Sequence, residues 1–206
     1  MLNRRDRKKQ QTRSALMSAA LRLADERGLD HVTVEEISEA ADVSPRTFFN
    51  YFATKDDAII GEQIADGPSV CDRLLATPVE VPLIPAILAA LTPEIEQFQA
   101  DRDLWLLRMR VIKDNPALLP ILVSRGAVAE QESAVAIATR LGLPADDFFP
   151  LLAATLTGTA VRAAMMRWAD TDGAGDLLEL VREAFGVLAG GLQPEHLNPE
   201  KQKGNR

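Results

Sequence analysis

The chain is predicted to be all-α, on three observations. Apolar residues recur at helical spacing in one segment after another, with no sustained alternation of period two. Ser, Thr and Asp stand where helix caps belong, while most glycines and prolines fall between the periodic stretches. The 206 residues are 47% apolar, enough for a substantial core in one or two domains.

Residues 12–27 carry an apolar stripe at Leu16, Ala19, Ala20 and Leu23, and Gly28 closes that helix as its C-terminal cap. Thr33 caps the next helix, and Glu36 three residues on completes a capping box. Asp42 stands where this helix must stop; aspartate is among the few non-glycine residues that tolerate a left-handed turn. Ser44 then caps a second short helix with Pro45 at its first position, where a missing N–H costs nothing. Thr54 with Asp57 opens another, read as running from about Lys55 into Leu75. The proline-rich stretch 77–85 reads as a hinge, and helices follow at about 84–99, 101–114, 116–141, 146–169 and 175–190. Asn115-Pro116, Gly142-Leu-Pro144 and Asp172-Gly-Ala-Gly175 separate them, and Pro120 falls within the first turns of its helix. The expectation is therefore nine helices.

Two short helices joined by so tight a turn have the helix-turn-helix geometry, whose second helix lies in the DNA major groove. Ile37, Ala40, Ala41, Val43 and Phe48 fall at spacings that face a shared core. Left over on the second helix are Ser44, Arg46, Thr47, Phe49, Asn50 and Tyr51. Arginine bonds a guanine edge in bidentate fashion, asparagine does the same to adenine, and a threonine methyl meets a thymine methyl. Arg46, Thr47 and Asn50 are thus expected to read bases. Thr33, Ser44, Tyr51 and Lys55 are expected to hold phosphates, with Pro45 and Phe49 beside them.

The net charge of −7 is unevenly spread. Residues 1–60 hold ten Lys/Arg and ten Asp/Glu, so the whole excess of acid lies in residues 61–206. Arg4, Arg5, Arg7, Lys8, Lys9 and Arg13 make the first residues a basic arm, expected to be flexible and to meet phosphates or the minor groove. No apolar run approaches the ~20 residues that span a bilayer. The first residues lack a signal peptide's apolar stretch. Cys71 is alone, which suits a reducing cytoplasm.

Residues 10–58 closely resemble the DNA-binding domain of TetR-type transcriptional regulators. The resemblance rests on Gly28, Thr33, Ala41-Asp-Val-Ser44, Phe49-Asn-Tyr-Phe52 and Lys55. Asp42 replaces the usual glycine, and Phe49 replaces a tyrosine whose hydroxyl often meets a phosphate. The resemblance implies a nine-helix architecture: a head of residues 1–58, a ligand-binding and dimerisation body of 59–192, and a flexible tail of 193–206. It also implies a homodimer through the last two long helices that reads a palindromic operator on double-stranded DNA. The residues alone leave two readings open for those helices. Ala153, Ala154, Gly158, Ala160, Ala163 and Ala164, with Leu177, Leu178, Leu180, Val181, Phe185 and Leu188, suit either half of a four-helix interface or burial within one subunit.

The body carries arginines on otherwise apolar helices. Trp105, Met109 and Ile112 share one face with Arg108 beside them, and Thr159, Arg162 and Met166 share another. One reading is ion pairing to Asp101, Asp103, Glu94, Glu96 or Asp147; the other is a ligand site in which arginine binds a carboxylate or phosphate and the apolar residues line a tunnel. Arg108-Met-Arg110, Asn115-Pro-Ala-Leu118, Arg140-Leu-Gly142 and Arg167-Trp168 resemble a TetR subgroup that includes the mycofactocin regulator, some of whose relatives respond to fatty acyl-CoA. That implies a small hydrophobic ligand, acyl-CoA or fatty acid, with a multidrug-type regulator of apolar or cationic compounds as the alternative.

An enzyme is disfavoured. His31 and His196 lie in no metal or triad spacing, no glycine-rich phosphate loop occurs, and no cofactor or metal is expected. A helical protein-binding adaptor accounts poorly for Arg46, Thr47, Asn50 and the basic arm. The reading is a cytoplasmic DNA-binding repressor released by its ligand, with no membrane partner.

Overall fold

The computed structural model describes residues 4–61, 67–144 and 146–192, with side chains from residue 7. Among them are ten α-helices, two 3₁₀ turns and no strand. The chain divides into two compact units, Met1–Gly67 with Asp101–Arg125, and Pro68–Ala100 with Gly126–Arg206. These units differ from the expected division after residue 58 in that residues 101–125 group with the first. The tail, 193–206, lies outside the described residues.

The first unit is built on α1 (Arg4–Arg27), α2 (Val34–Ala40), α3 (Pro45–Phe49), α4 (Lys55–Ile60) and α7 (Arg102–Asp114). Its core gathers Leu16, Ala19, Ala20 and Leu23 of α1, Ile37 of α2, Phe48 and Phe52 around α3, Ile59 of α4, and Val111 and Ile112 of α7. Ala40, expected in that core, is exposed, while Ala41 and Val43 are half-buried. The start of α1 differs from expectation. Thr12, the expected start of the helix, lies inside it, and its hydroxyl donates to Lys8 O at 3.1 Å, a back-bond from within a helix. The Arg, Lys and Gln residues before it are good helix formers with no breaker among them, so the basic arm is helical from Arg4.

The helix expected from Lys55 into Leu75 is two. α4 ends at Gly61, whose backbone is extended (φ −42°, ψ 134°). α5 (Val70–Ala76) starts afresh from Ser69, in a capping box with Asp72. This break and the helicity of α5 raise the count to ten.

The second unit contains α5, α6 (Leu83–Ala100), most of α8 (Leu119–Leu141), α9 (Phe148–Asp170) and α10 (Leu177–Ala189). Pro93 lies inside α6 without ending it; the carbonyl it leaves unpaired belongs to exposed Ala89. α10 packs on α9 and α6, burying Leu177, Leu178, Val181 and Phe185. Those four side chains are used within the subunit, while Leu180 and Leu188 of the same stripe are half-buried. α9 buries Pro150, Ala154, Thr157, Ala160, Ala164 and Trp168, but Phe148, Leu151, Leu152 and Leu156 stay exposed. By length and composition α9 is apolar enough to cross a membrane, contrary to the expectation from the sequence. α9 packs on α10, and 28% of its apolar stretch is buried.

Arg140 joins the segment between α5 and α6 to α8: its guanidinium donates to the carbonyls of Leu74, Thr77, Pro78 and Val81. The proline-rich stretch is thereby a fastened strap.

Candidate nucleic-acid interface and effector residues

The turn between α2 and α3 is set by Asp42, the left-handed residue (φ 53°). With it in place, Asp42 N–H donates to Glu39 O at 3.0 Å and Val43 N–H to Ser38 O at 2.9 Å, satisfying the last carbonyls of α2. Ser38 is buried and its hydroxyl donates to Val34 O at 2.7 Å, which lets a polar residue sit under the turn.

Both ends of the unit are capped as expected. Thr33 Oγ1 accepts from Glu36 N–H at 3.2 Å, and Glu36 Oε2 accepts from Thr33 N–H at 2.9 Å. These bonds to Thr33 hold the Glu36 carboxyl below its ordinary pKa of 4.5. Ser44 Oγ accepts from Thr47 N–H at 3.1 Å and lies 2.9 Å from Thr47 Oγ1. Helical turns continue past Phe49, because Tyr51 N–H and Phe52 N–H both donate to Phe48 O.

This framework separates two faces of α3. Phe48 is fully buried, edge-on to Phe49 (centroids 5.5 Å apart) and tilted against Phe52 (5.6 Å). Ser44, Pro45, Arg46, Phe49 and Asn50 are exposed, and Thr47 and Tyr51 half-buried. Arg46 and Asn50 therefore stand four residues apart on an outward face, the spacing of neighbours on one side of a helix. Upstream, Arg7, Lys8 and Lys9 are exposed along the first turns of α1.

Two cations have other duties. Lys55 Nζ donates to Leu29 O at 2.7 Å and to Val32 O at 3.0 Å, fastening α4 to the 3₁₀ turn Leu29–His31 ahead of α2. Beside the phosphate contact expected of it, Lys55 thus has an internal role. Arg13 lies over the Phe52 ring (4.5 Å to its centroid) and donates to Tyr51 O at 3.3 Å, so it buttresses α3 from behind. Neither role is written in local spacing, since each joins residues at least 23 positions apart.

The residues proposed for an effector fall in both units. In the first, Ile112 belongs to the head core and Met109 packs against it, while Trp105 is buried outside that cluster. Arg108 is different. It is 6% exposed, its Nε donates to Ile59 O at 3.0 Å, and its Nη2 has no hydrogen-bond partner. Burial pulls its pKa down to about 10, against the opposing charge of Asp101, so the guanidinium stays protonated near neutrality. In the second unit Thr159, Arg162 and Met166 lie on the exposed side of α9, with Met166 63% exposed. Arg162 donates to Thr159 Oγ1 at 3.0 Å and faces Glu130 at 3.9 Å, a carboxylate of α8 other than those expected. A groove of about 620 Å³ where α9 meets α10 is lined by Arg167, Asp176, Glu179 and Arg182 among others, and contains none of the expected ligand residues. Among the described residues no group of His, Cys, Asp or Glu has metal-binding geometry.

Comparison with known proteins gives a consistent picture. Residues 16–58 match the family model of bacterial regulatory proteins, tetR family, and residues 81–193 match that of the MftR C-terminal domain. The HTH-type transcriptional regulator TcmR of Streptomyces glaucescens is 31% identical over 201 residues, 93% of this chain and 87% of TcmR. A Mycobacterium tuberculosis protein named as a mycofactocin biosynthesis transcriptional regulator, MftR, is 28% identical over 190 residues, 90% of this chain and 93% of that one. In fold, the chain resembles Thermus thermophilus FadR, a TetR family transcriptional repressor solved with lauroyl-CoA (TM-score 0.55, 21% identity, 88% of this chain and 95% of that one). It also resembles SmeT in a complex with triclosan (TM-score 0.59, 17% identity, 87% and 90%).

Proposed function

Because the chain belongs to the TetR family of DNA-binding transcriptional regulators, we propose that it is a ligand-released repressor that docks on a palindromic operator as a homodimer. The family consists of regulators, not enzymes, and pairs a helix-turn-helix head with a ligand-binding body. The observation that carries the DNA half is the exposed pair Arg46 and Asn50 on a helix anchored from behind by Phe48 and Arg13. Side chains on so rigid a base lose little entropy on meeting base edges. Arg46, Thr47 and Asn50 read bases; Thr33, Ser44 and Tyr51, with Arg7, Lys8 and Lys9 of α1, meet phosphates. The protein works in the cytoplasm, where the DNA is.

The effector is a fatty acid or acyl-CoA, an apolar chain with an anionic head. Support comes from Arg108, a buried cation with an unused donor, and from the lauroyl-CoA bound by a protein of the same fold. The neighbour solved with triclosan favours a second reading, an uncharged apolar effector. Fluorescence anisotropy on duplex DNA from the chain's own upstream region separates them. Tight binding released by lauroyl-CoA at micromolar concentration is expected. Release by triclosan alone selects the second reading, and no preference for this DNA over a scrambled duplex overturns repression at this site.

A further inference from the structure

The unused donor of Arg108 sits at a mechanically sensitive place. α4 is only six residues long, and its last carbonyls have no partners within the helix. Arg108 supplies one, through Nε to Ile59 O, so a cation reaching across from α7 caps the C-terminal end of α4. The rest of α4 is tied down as well. Thr54 and Asp57 close its N-terminus in a capping box, Asp57 also pairs with Arg125 at 2.6 Å, and Lys55 grips Leu29 O and Val32 O. Val32 precedes Thr33, the cap of α2. An unbroken series of bonds thus runs from Arg108 through α4 to the first residue of the helix-turn-helix.

A purely structural cap explains the Nε bond and nothing else about this residue. Burying a guanidinium is costly unless its donors are used, and an apolar side chain of similar length would fill the space without that cost. Among the described residues, Nη2 of Arg108 is the buried side-chain nitrogen left without a partner. A charge held in this half-satisfied state answers to any anion that reaches it, since the anion gains a charge-assisted bond without having to break an existing one at Nη2.

We infer that Arg108 is the relay between effector and reading head: the anionic head of the effector bonds Nη2, draws the guanidinium off Ile59 O, and loosens α4 and the 29–33 loop that α4 holds. The inference rests on the anionic-amphiphile reading above and adds the route by which that ligand acts. Released from its cap, α4 loses its C-terminal anchor, and Lys55 carries the disturbance to Leu29, Val32 and Thr33. α2 and α3 then no longer present Arg46 and Asn50 on a fixed base, and affinity for the operator falls.

The test compares wild type with Arg108→Met, which removes charge and donors at similar length, and Arg108→Lys, which keeps the charge. The probes are dodecanoate and dodecanol, equal chains with and without the anion. Calorimetry measures binding, and amide hydrogen exchange follows residues 29–33 and 55–60. Wild type binds dodecanoate at least ten-fold more tightly than dodecanol, and dodecanoate speeds exchange in both segments about ten-fold. Arg108→Met lacks the bond to Ile59 O from the start. Without ligand it already exchanges fast in both segments and binds the operator at least ten-fold more weakly than wild type, and it loses both the preference for the anion and the exchange response; Arg108→Lys keeps part of both. Wild-type exchange and operator affinity in ligand-free Arg108→Met would overturn the relay. A dodecanoate preference and exchange response in Arg108→Met equal to wild type would overturn the relay while leaving the anionic effector standing. Equal binding of dodecanoate and dodecanol by wild type overturns both and leaves the DNA-binding assignment intact.

Discussion

Lys55 donates to two carbonyls 2.7 and 3.0 Å away, and those bonds decide what the residue does. Its replacement by methionine leaves Leu29 O and Val32 O without their donor, at a cost of about 1–3 kcal/mol. Urea denaturation of Lys55→Met is expected to show that loss. Unchanged stability with uniformly weaker binding to every DNA would instead return Lys55 to the phosphate backbone. The contrast with the caps is instructive. Thr33 with Glu36, Ser44 with Pro45, and Thr54 with Asp57 are legible because cap and partner lie within three residues and their geometry is local. The partners of Lys55, Arg13 and Arg108 are chosen by tertiary packing, and no local pattern announces them. The outward set Arg46, Thr47, Asn50 is legible for the opposite reason: these residues have no place in an apolar periodicity.

At the scale of elements, helix interiors are readable and ends less so. α1 begins at Arg4 because a threonine inside a polar helix bonds back to the preceding turn as readily as it caps a new one. The break after α4 is hidden by an apolar pattern that continues on both sides of Gly61. The turn between α2 and α3 falls where the sequence places it, and it holds a testable cost. Asp42 adopts φ 53°, where a side chain costs more than a glycine's bare Cα. Asp42→Gly is expected to stabilise the head by up to about 1 kcal/mol, raising the melting temperature with operator affinity unchanged. A lower melting temperature would mean that the aspartate side chain supports the turn through a contact of its own.

At the scale of the whole molecule, the two-unit division shows α7 and the start of α8 belonging with the head. Arg108, Arg110 and Arg125 each bond a residue of α4 or α1. The resemblance places α7 with the body, and periodicity does not decide the matter because it finds faces without naming their neighbours. The same limit applies to dimerisation. α9 keeps Phe148, Leu152 and Leu156 exposed at four-residue intervals, an outward row suited to a second copy. Leu152→Lys with Leu156→Lys is expected to halve the mass in sedimentation equilibrium while leaving α9 packed on α10. A variant that stays dimeric would place the interface elsewhere.

Sequence reading by α3 is decided most directly by Arg46→Ala, measured by anisotropy at fixed salt on the operator duplex and on a scrambled one. Base reading predicts a loss of about 1–3 kcal/mol per half-site on the operator and little change on the scrambled duplex. Equal losses on the two duplexes would contradict it and make Arg46 a phosphate contact.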